Sequence, residues 1–152
     1  MSPLPSPRIT SALSAEQLDR LMTCGRPVDL PEGTRLFEEG DPAQRFWILR
    51  TGTVTLDVSV PGTRSAVIDT VNAGELLGWS WLYTPYRWHS GAEAMTRVRA
   101  YEFDAVAVRT LMVADPVLGS ALGHLVGQTL ARRLVSARTR LLDLYAPHGS
   151  GL

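Results

Sequence analysis

The residues best suited to chemistry lie close together. Gly78, Trp79, Ser80, Arg87, His89 and Ser90 fall in one stretch that also carries Trp81, Tyr83, Tyr86 and Trp88. Five of the chain's eleven aromatic residues lie between Trp79 and Trp88, a density too apolar for a solvated loop and too polar for a plain core strand. The combination is that of a pocket wall: rings stack on planar groups, while a guanidinium, an imidazole and hydroxyls hold an anion. Three roles stay open for the aromatic set: stacking on a planar ligand, forming a partner surface, or filling the pocket with the protein's own side chains. His89 is accordingly a ligand contact, a satisfied interior histidine or a surface one.

No catalytic arrangement accompanies this wall. Ser80 and Ser90 lack the Gly-x-Ser-x-Gly elbow that exposes a nucleophile, and the carboxylates fall mostly in turns. The chain is therefore not expected to be an enzyme. Cys24 is the sole cysteine, which excludes an internal disulfide and a thiolate-only metal site. His124 and His148 have no second ligand at metal spacing, so no metal is expected; a single His89 without an attachment motif gives no basis for haem.

The elements that must position the wall follow from the remaining pattern. The 152 residues suit one domain, and fifteen acidic residues balance fifteen basic ones, all arginine, which argues against a nucleic-acid surface. Residues 1–11, with prolines at 3, 5 and 7, read as a flexible leader, and residues 146–152 as a flexible tail. Ser14 to Gln17 has the form of a capping box ahead of a short helix that Gly25 stops. Seven segments rich in Val, Ile, Thr and aromatics follow: 28–30, 34–38, 45–50, 53–60, 65–71, 90–95 and 98–103, separated by turn residues. They predict a mainly β fold, an antiparallel roll or jelly-roll-like barrel.

After Asp104 the period becomes helical. A short helix ends at Asp115, and a long one runs from Pro116 to Tyr145 with Leu118, Leu122, Val126, Leu130, Leu134, Ala137, Leu141 and Leu144 on one stripe. A small roll cannot cover so long a stripe, so a homodimer through Leu122, Val126, Leu130, Leu134 and Leu141 is expected. Arg132, Arg133, Arg138 and Arg140 read as its solvated flank, or as a landing site for an acidic partner. There is no signal-peptide pattern and no run of the ~20 apolar residues a span needs, so the expected place is the cytoplasm, without a membrane.

The segment from Gly40-Asp41-Pro42 through Phe46-Trp47-Ile48 to Gly52-Thr53-Val54 resembles the pattern of cyclic nucleotide-binding domains. These include the effector domain of catabolite-activator and fumarate-nitrate-regulator type regulators. Asp115-Pro116 and Leu130-Ala131-Arg132-Arg133-Leu134 resemble that family's helix junction and dimerisation helix, and the likeness spans about residues 12–145. It implies a domain over 12–145 with a dimerisation helix over 116–145. It also implies a phosphate cassette in which a short helix after Gly-Glu-Leu offers N–H groups, the Glu takes the ribose and a later Arg pairs with the phosphate.

Without gaps, Gly-Glu-Leu falls on Gly78-Trp79-Ser80, and Arg-Ser on His89-Ser90; an alternative register uses Gly74-Glu75-Leu76. In the first register Trp79 replaces the Glu and His89 the Arg, which exchanges a ribose acceptor and a bidentate charge for rings. Gly78, Trp79, Ser80, Arg87, His89 and Ser90 are thus the candidate ligand contacts. The occupant is a cyclic nucleotide or another small phosphorylated ligand, not cyclic AMP bound in the family's usual way. The family's helix-turn-helix module does not follow Tyr145, so direct DNA binding is not expected. The expected role is regulatory: ligand-dependent movement of the C-terminal helices, passed to an unknown protein partner. The alternative is a degenerate dimeric interaction module whose pocket is self-filled.

Overall fold

The computed structural model describes residues 7–145. Two short helices, α1 (Ile9–Ala12) and α2 (Ala15–Met22), precede eight strands that form two antiparallel sheets of four. One sheet runs β1 (Gly25–Leu30), β8 (Val98–Asp104), β3 (Arg45–Thr51), β6 (Leu76–Leu77). The other runs β2 (Arg35–Phe37), β7 (Gly91–Ala94), β4 (Val54–Val58), β5 (Ala66–Val71). Two helices close the chain, α3 (Ala105–Ala114) and the thirty-residue α4 (Pro116–Tyr145). This is the mainly β roll with flanking helices that the sequence indicates. β6 is an addition, because two leucines are too few to show a period; they pair with Trp47 and Ile48.

Local chemistry sets the boundaries. Ser14 Oγ accepts from the Gln17 N–H at 3.1 Å while Gln17 Oε1 accepts from the Ser14 N–H at 2.9 Å, the reciprocal capping box expected for α2. Asp104 caps α3 through the N–H groups of Val106 and Ala107, and Asp115 Oδ1 accepts from the Leu118 N–H at 3.1 Å to start α4. Gly52 turns the chain between β3 and β4 at a φ of 90°, and a β-carbon there would come within 2.3 Å of the Arg97 carbonyl oxygen.

The leader departs from its expectation in part. Residues 9–11 belong to α1, where Ile9 is buried and its N–H donates to the Gly74 carbonyl at 3.1 Å. Proline content concealed this apolar anchor. Residues 1–6 and the tail at 146–152 lie outside the described residues.

β3 is buried on both faces, so Phe46, Trp47, Ile48 and Leu49 are all interior instead of alternating. Phe46 stacks on Phe103 and Trp81 at centroid separations of 4.8 and 4.1 Å. Trp47, on the opposite face of the strand, lies 5.7 Å from the ring of Phe37 and donates its indole N–H to Glu102 Oε2 at 3.1 Å.

Helix α4 is anchored at one end. Leu118, Leu122, Leu125 and Val126 are fully buried and Thr129 nearly so, with Leu130 packed against the core. Beyond them Leu134, Leu141, Leu142, Leu144 and Tyr145 are all more than half exposed. This corrects the expected dimer seam: Leu122 and Val126 belong to the domain's own core and have no surface to offer a second copy. The stripe changes partner along its length, which spacing alone does not reveal. Leu122→Ala should therefore destabilise the fold by about 2–5 kcal/mol, whereas Leu134→Ala should stay within about 0.5 kcal/mol in stability. Urea unfolding of both variants, at a concentration where each is monomeric, measures the contrast.

Candidate functional site

Between β6 and β7 the chain forms two successive turns, closed by Leu82 N–H to the Trp79 carbonyl at 3.1 Å and Tyr86 N–H to the Tyr83 carbonyl at 2.9 Å. The short helix expected of the cassette is not formed here. Gly78 opens the segment at a φ of 104°, with the Trp88 ring 2.8 Å from where a β-carbon would stand. Trp81 is fully buried on Phe46, and its indole N–H donates to the Gly78 carbonyl at 2.9 Å. Trp88 stacks on Phe37 at 3.7 Å. Arg109 of α3 donates to the Trp81 carbonyl at 2.6 Å and lies 4.1 Å from the centre of the Tyr86 ring.

The aromatic set thus divides. Trp81 and Trp88 are core residues, Tyr86 covers Arg109, and Tyr83 is half exposed. Trp79 remains at the surface of the wall, stacked at 4.8 Å on His89, whose Nδ1 lies 3.2 Å from the buried Ser80 hydroxyl.

This wall borders a cavity of about 440 Å³. Gly78, Trp79, Ser80, His89 and Ser90 line it, which brings together five of the six residues singled out in the sequence. Arg87 is the exception. It is exposed, its backbone pairs with Pro42, and its guanidinium donates to the Gly40 carbonyl at 3.3 Å, so it is a loop brace and not a cavity residue. In the alternative register Glu75 would supply the ribose acceptor, but Glu75 Oε1 instead accepts from the Asn72 N–H at 2.7 Å and lines no part of the cavity.

The opposite wall comes from β5 and the distal half of α4, and sequence reasoning missed it. Arg133, Ser136, Ala137, Arg140, Leu141 and Leu144 face the cavity. They recur at the spacing of one helical face, with two small side chains in the middle leaving room. That spacing is the available signal. Arg133 was expected on a solvated flank; its side chain is only 18% exposed.

The charges at this wall do not balance. Asp69 Oδ2 lies 3.2 Å from Arg132 Nη2 and 3.4 Å from Arg133 Nε, so one carboxylate faces two guanidiniums. The Nε atoms of both arginines are buried with no hydrogen-bond partner among the described residues. Burial pushes the Arg133 guanidinium below its usual range, with Asp69 and, more weakly, Glu75 opposing the shift and Arg132 adding to it. Arg140 donates to the Ile68 carbonyl at 2.8 Å. The cavity therefore has an apolar body of rings and leucines and a positively charged end on α4.

A family model described as cyclic nucleotide-binding domain matches residues 27–115. The CRP-like cAMP-activated global transcriptional regulator of Mycobacterium tuberculosis is 30% identical over 119 residues, 78% of this chain and 51% of that protein. The chain spans about half the length of the curated relatives it matches. Among solved structures, the N-terminal domain of a transcriptional regulator from Streptomyces coelicolor superposes with a TM-score of 0.67 at 28% identity, covering 80% of this chain and 87% of that one. A cyclic nucleotide-binding domain from Methylobacillus flagellatus reaches a TM-score of 0.79 at 21% identity over 90% and 77% of the two chains, a likeness of fold.

The surplus guanidinium has a thermodynamic consequence. Because burial lowers the affinity of Arg133 for its proton in the folded chain, carrying the charge costs stability at every pH below the arginine range. Arg133→Met, which leaves Arg132 paired with Asp69, should raise the stability of the ligand-free protein by about 1–3 kcal/mol, a few degrees in Tm, evenly across about pH 5 to 9. Calorimetry of the two proteins at several pH values checks both sign and flatness.

Proposed function

The chain belongs to the cyclic nucleotide-binding domain family, and from that premise we propose that it is a non-catalytic sensor domain. A small ligand enters the cavity between the Gly78–Ser90 wall and α4, alters the seating of the distal helix, and passes that change to a partner protein. The observation that carries this reading is the make-up of the cavity: one wall belongs to the roll and the other to the half of α4 that the core does not anchor. A ligand touching both walls binds the seated and displaced helix unequally, which is what a shift of population requires.

Gly78, Trp79, Ser80, His89 and Ser90 are the wall contacts in this proposal. Cyclic AMP in the family's usual pose is disfavoured, because neither a ribose acceptor nor an arginine stands where the cassette would need it. A homodimer through Leu134, Leu141 and the neighbouring exposed residues Leu142 and Leu144 suits the apolar surface of the distal helix. No helix among the described residues is long and apolar enough to cross a membrane, in keeping with the cytoplasmic place proposed for it.

One observation favours the rival, a self-filled interaction module: Trp81 and Trp88 occupy the roll side of the cassette with the protein's own rings. A thermal-shift titration separates the two. Wild type and Ala137→Trp, which fills the cavity from α4, are titrated with cyclic AMP, cyclic GMP and a panel of phosphorylated and carboxylated metabolites. A ligand at a thousand times its Kd should add about 4 kcal/mol, on the order of 10 °C, to wild type and leave Ala137→Trp unmoved. Silence of wild type toward the whole panel would favour the self-filled module. For the dimer, sedimentation of Leu134→Glu should give half the wild-type mass while the variant keeps a cooperative melting transition, lowered by the lost association; an unchanged mass would remove the distal helix as the interface.

A further inference from the structure

We infer that the ligand of this cavity is an amphipathic organic anion held the other way round from the family's cassette, with its charged group on Arg133 and Arg140 of α4 and its apolar body against Trp79, Trp88 and Leu141. The inference rests on the reading of the cavity as the domain's ligand site and names the chemical class of the occupant. Three observations converge on it.

The first is the unmatched charge. Arg133 borders the cavity, is largely buried, and leaves its Nε without a hydrogen-bond partner among the described residues. Its nearest acid, Asp69, is already shared with Arg132. A guanidinium is a rigid fork of donors matched to carboxylate, sulfonate or phosphate oxygens, and a buried one calls for such a group. Arg140, on the same face of α4 two turns on, borders the cavity while donating to the Ile68 carbonyl.

The second is the lack of a guanidinium facing the cavity from the roll side. Arg87 is turned outward to Gly40, and His89 is stacked on Trp79 with its Nδ1 beside the Ser80 hydroxyl. An anion at that end would find no guanidinium. The third is the character of the remaining lining. Phe37, Leu56, Ile68, Trp88, Leu141 and Leu144 are apolar; of the side-chain acceptors at the cavity, Asp69 is held by Arg132 and Arg133 and Ser80 by His89, which leaves the hydroxyls of Ser90 and Ser136, and Glu75 is committed to the Asn72 N–H. A volume of about 440 Å³ lies within the range of small-molecule sites. Rings and leucines with a single charged end select an apolar body carrying one compact anionic group, and disfavour a ribose phosphate.

A charged and an uncharged probe of nearly the same shape test the assignment on the full chain. Anilinonaphthalene sulfonate supplies rings and an anion; phenylnaphthylamine supplies the rings alone. The sulfonate should bind wild type once per chain, saturably, and raise Tm, while phenylnaphthylamine binds about tenfold or more weakly. Arg133→Gln should weaken the sulfonate about tenfold and change phenylnaphthylamine by no more than about twofold; Arg140→Gln, at an exposed position, should weaken the sulfonate in the same direction and serves if the first variant folds poorly. Ala137→Trp should abolish both.

If both arginine variants bind the sulfonate as wild type does while Ala137→Trp still blocks it, the charge assignment is overturned and the cavity survives as the ligand site. If Ala137→Trp leaves binding intact, the site lies elsewhere, and both this inference and the sensor reading of the cavity fall. Displacement of the sulfonate by cyclic AMP at lower concentration than by naphthoate would contradict the preference for an apolar body.

Discussion

A roll this short cannot bury a helix of thirty residues, about 45 Å long, and the rest of the molecule depends on that mismatch. The core takes Leu118, Leu122, Leu125 and Val126 completely and leaves Leu134, Leu141, Leu142 and Leu144 more than half exposed. The distal half makes polar contacts to β5, Arg132 and Arg133 on Asp69 and Arg140 on the Ile68 carbonyl. Apolar packing fixes the first half in place; the second half is seated by interactions that a ligand can replace. The cavity opens where one regime gives way to the other, next to the wall that the roll presents.

That wall has been rebuilt around rings. Trp81 and Trp88, which the sequence offers equally as stacking platforms, are spent inside the fold on Phe46 and Phe37, and Arg109 braces the turns from beneath. What reaches the cavity is one edge of Trp88 and the stacked, nearly parallel rings of Trp79 and His89, in place of an acid and an arginine. Guanidiniums for an anion stand across the cavity, where Arg132 and Arg133 of α4 share the carboxylate of Asp69. Wall and helix are complementary in this sense: each supplies what the other lacks.

The fold was legible because its signals are local. Turn residues at regular intervals marked the strands, the Ser14 and Asp104 caps marked the helices, and Pro116 fixed the start of α4. β6 escaped because two residues have no period, and α1 because three prolines outweighed one buried isoleucine. At the site, Gly78 through Ser90 could be picked out by composition, but the sense in which each side chain points depends on turns that composition does not specify. Arg87 was lost from the site for that reason. Arg133 was missed for another: on a helix, an arginine facing a cavity and one facing water have the same spacing, and only the position of Asp69 on a distant strand distinguishes them. Leu122 and Leu134 repeat the lesson for apolar residues, one stripe serving a core and a surface.

The space between β5, the Trp79 wall and α4 attracts an anion to Arg133 in this proposal. Diffraction from crystals soaked in bromide tests it without knowledge of the natural ligand, since the anomalous signal locates the ion directly. Bromide is expected in contact with the Arg133 guanidinium inside the cavity, and is expected to be lost in crystals of Arg133→Gln. Bromide found only on exposed arginines such as Arg64 or Arg138, with the cavity empty of it, would show that Arg133 holds no anion.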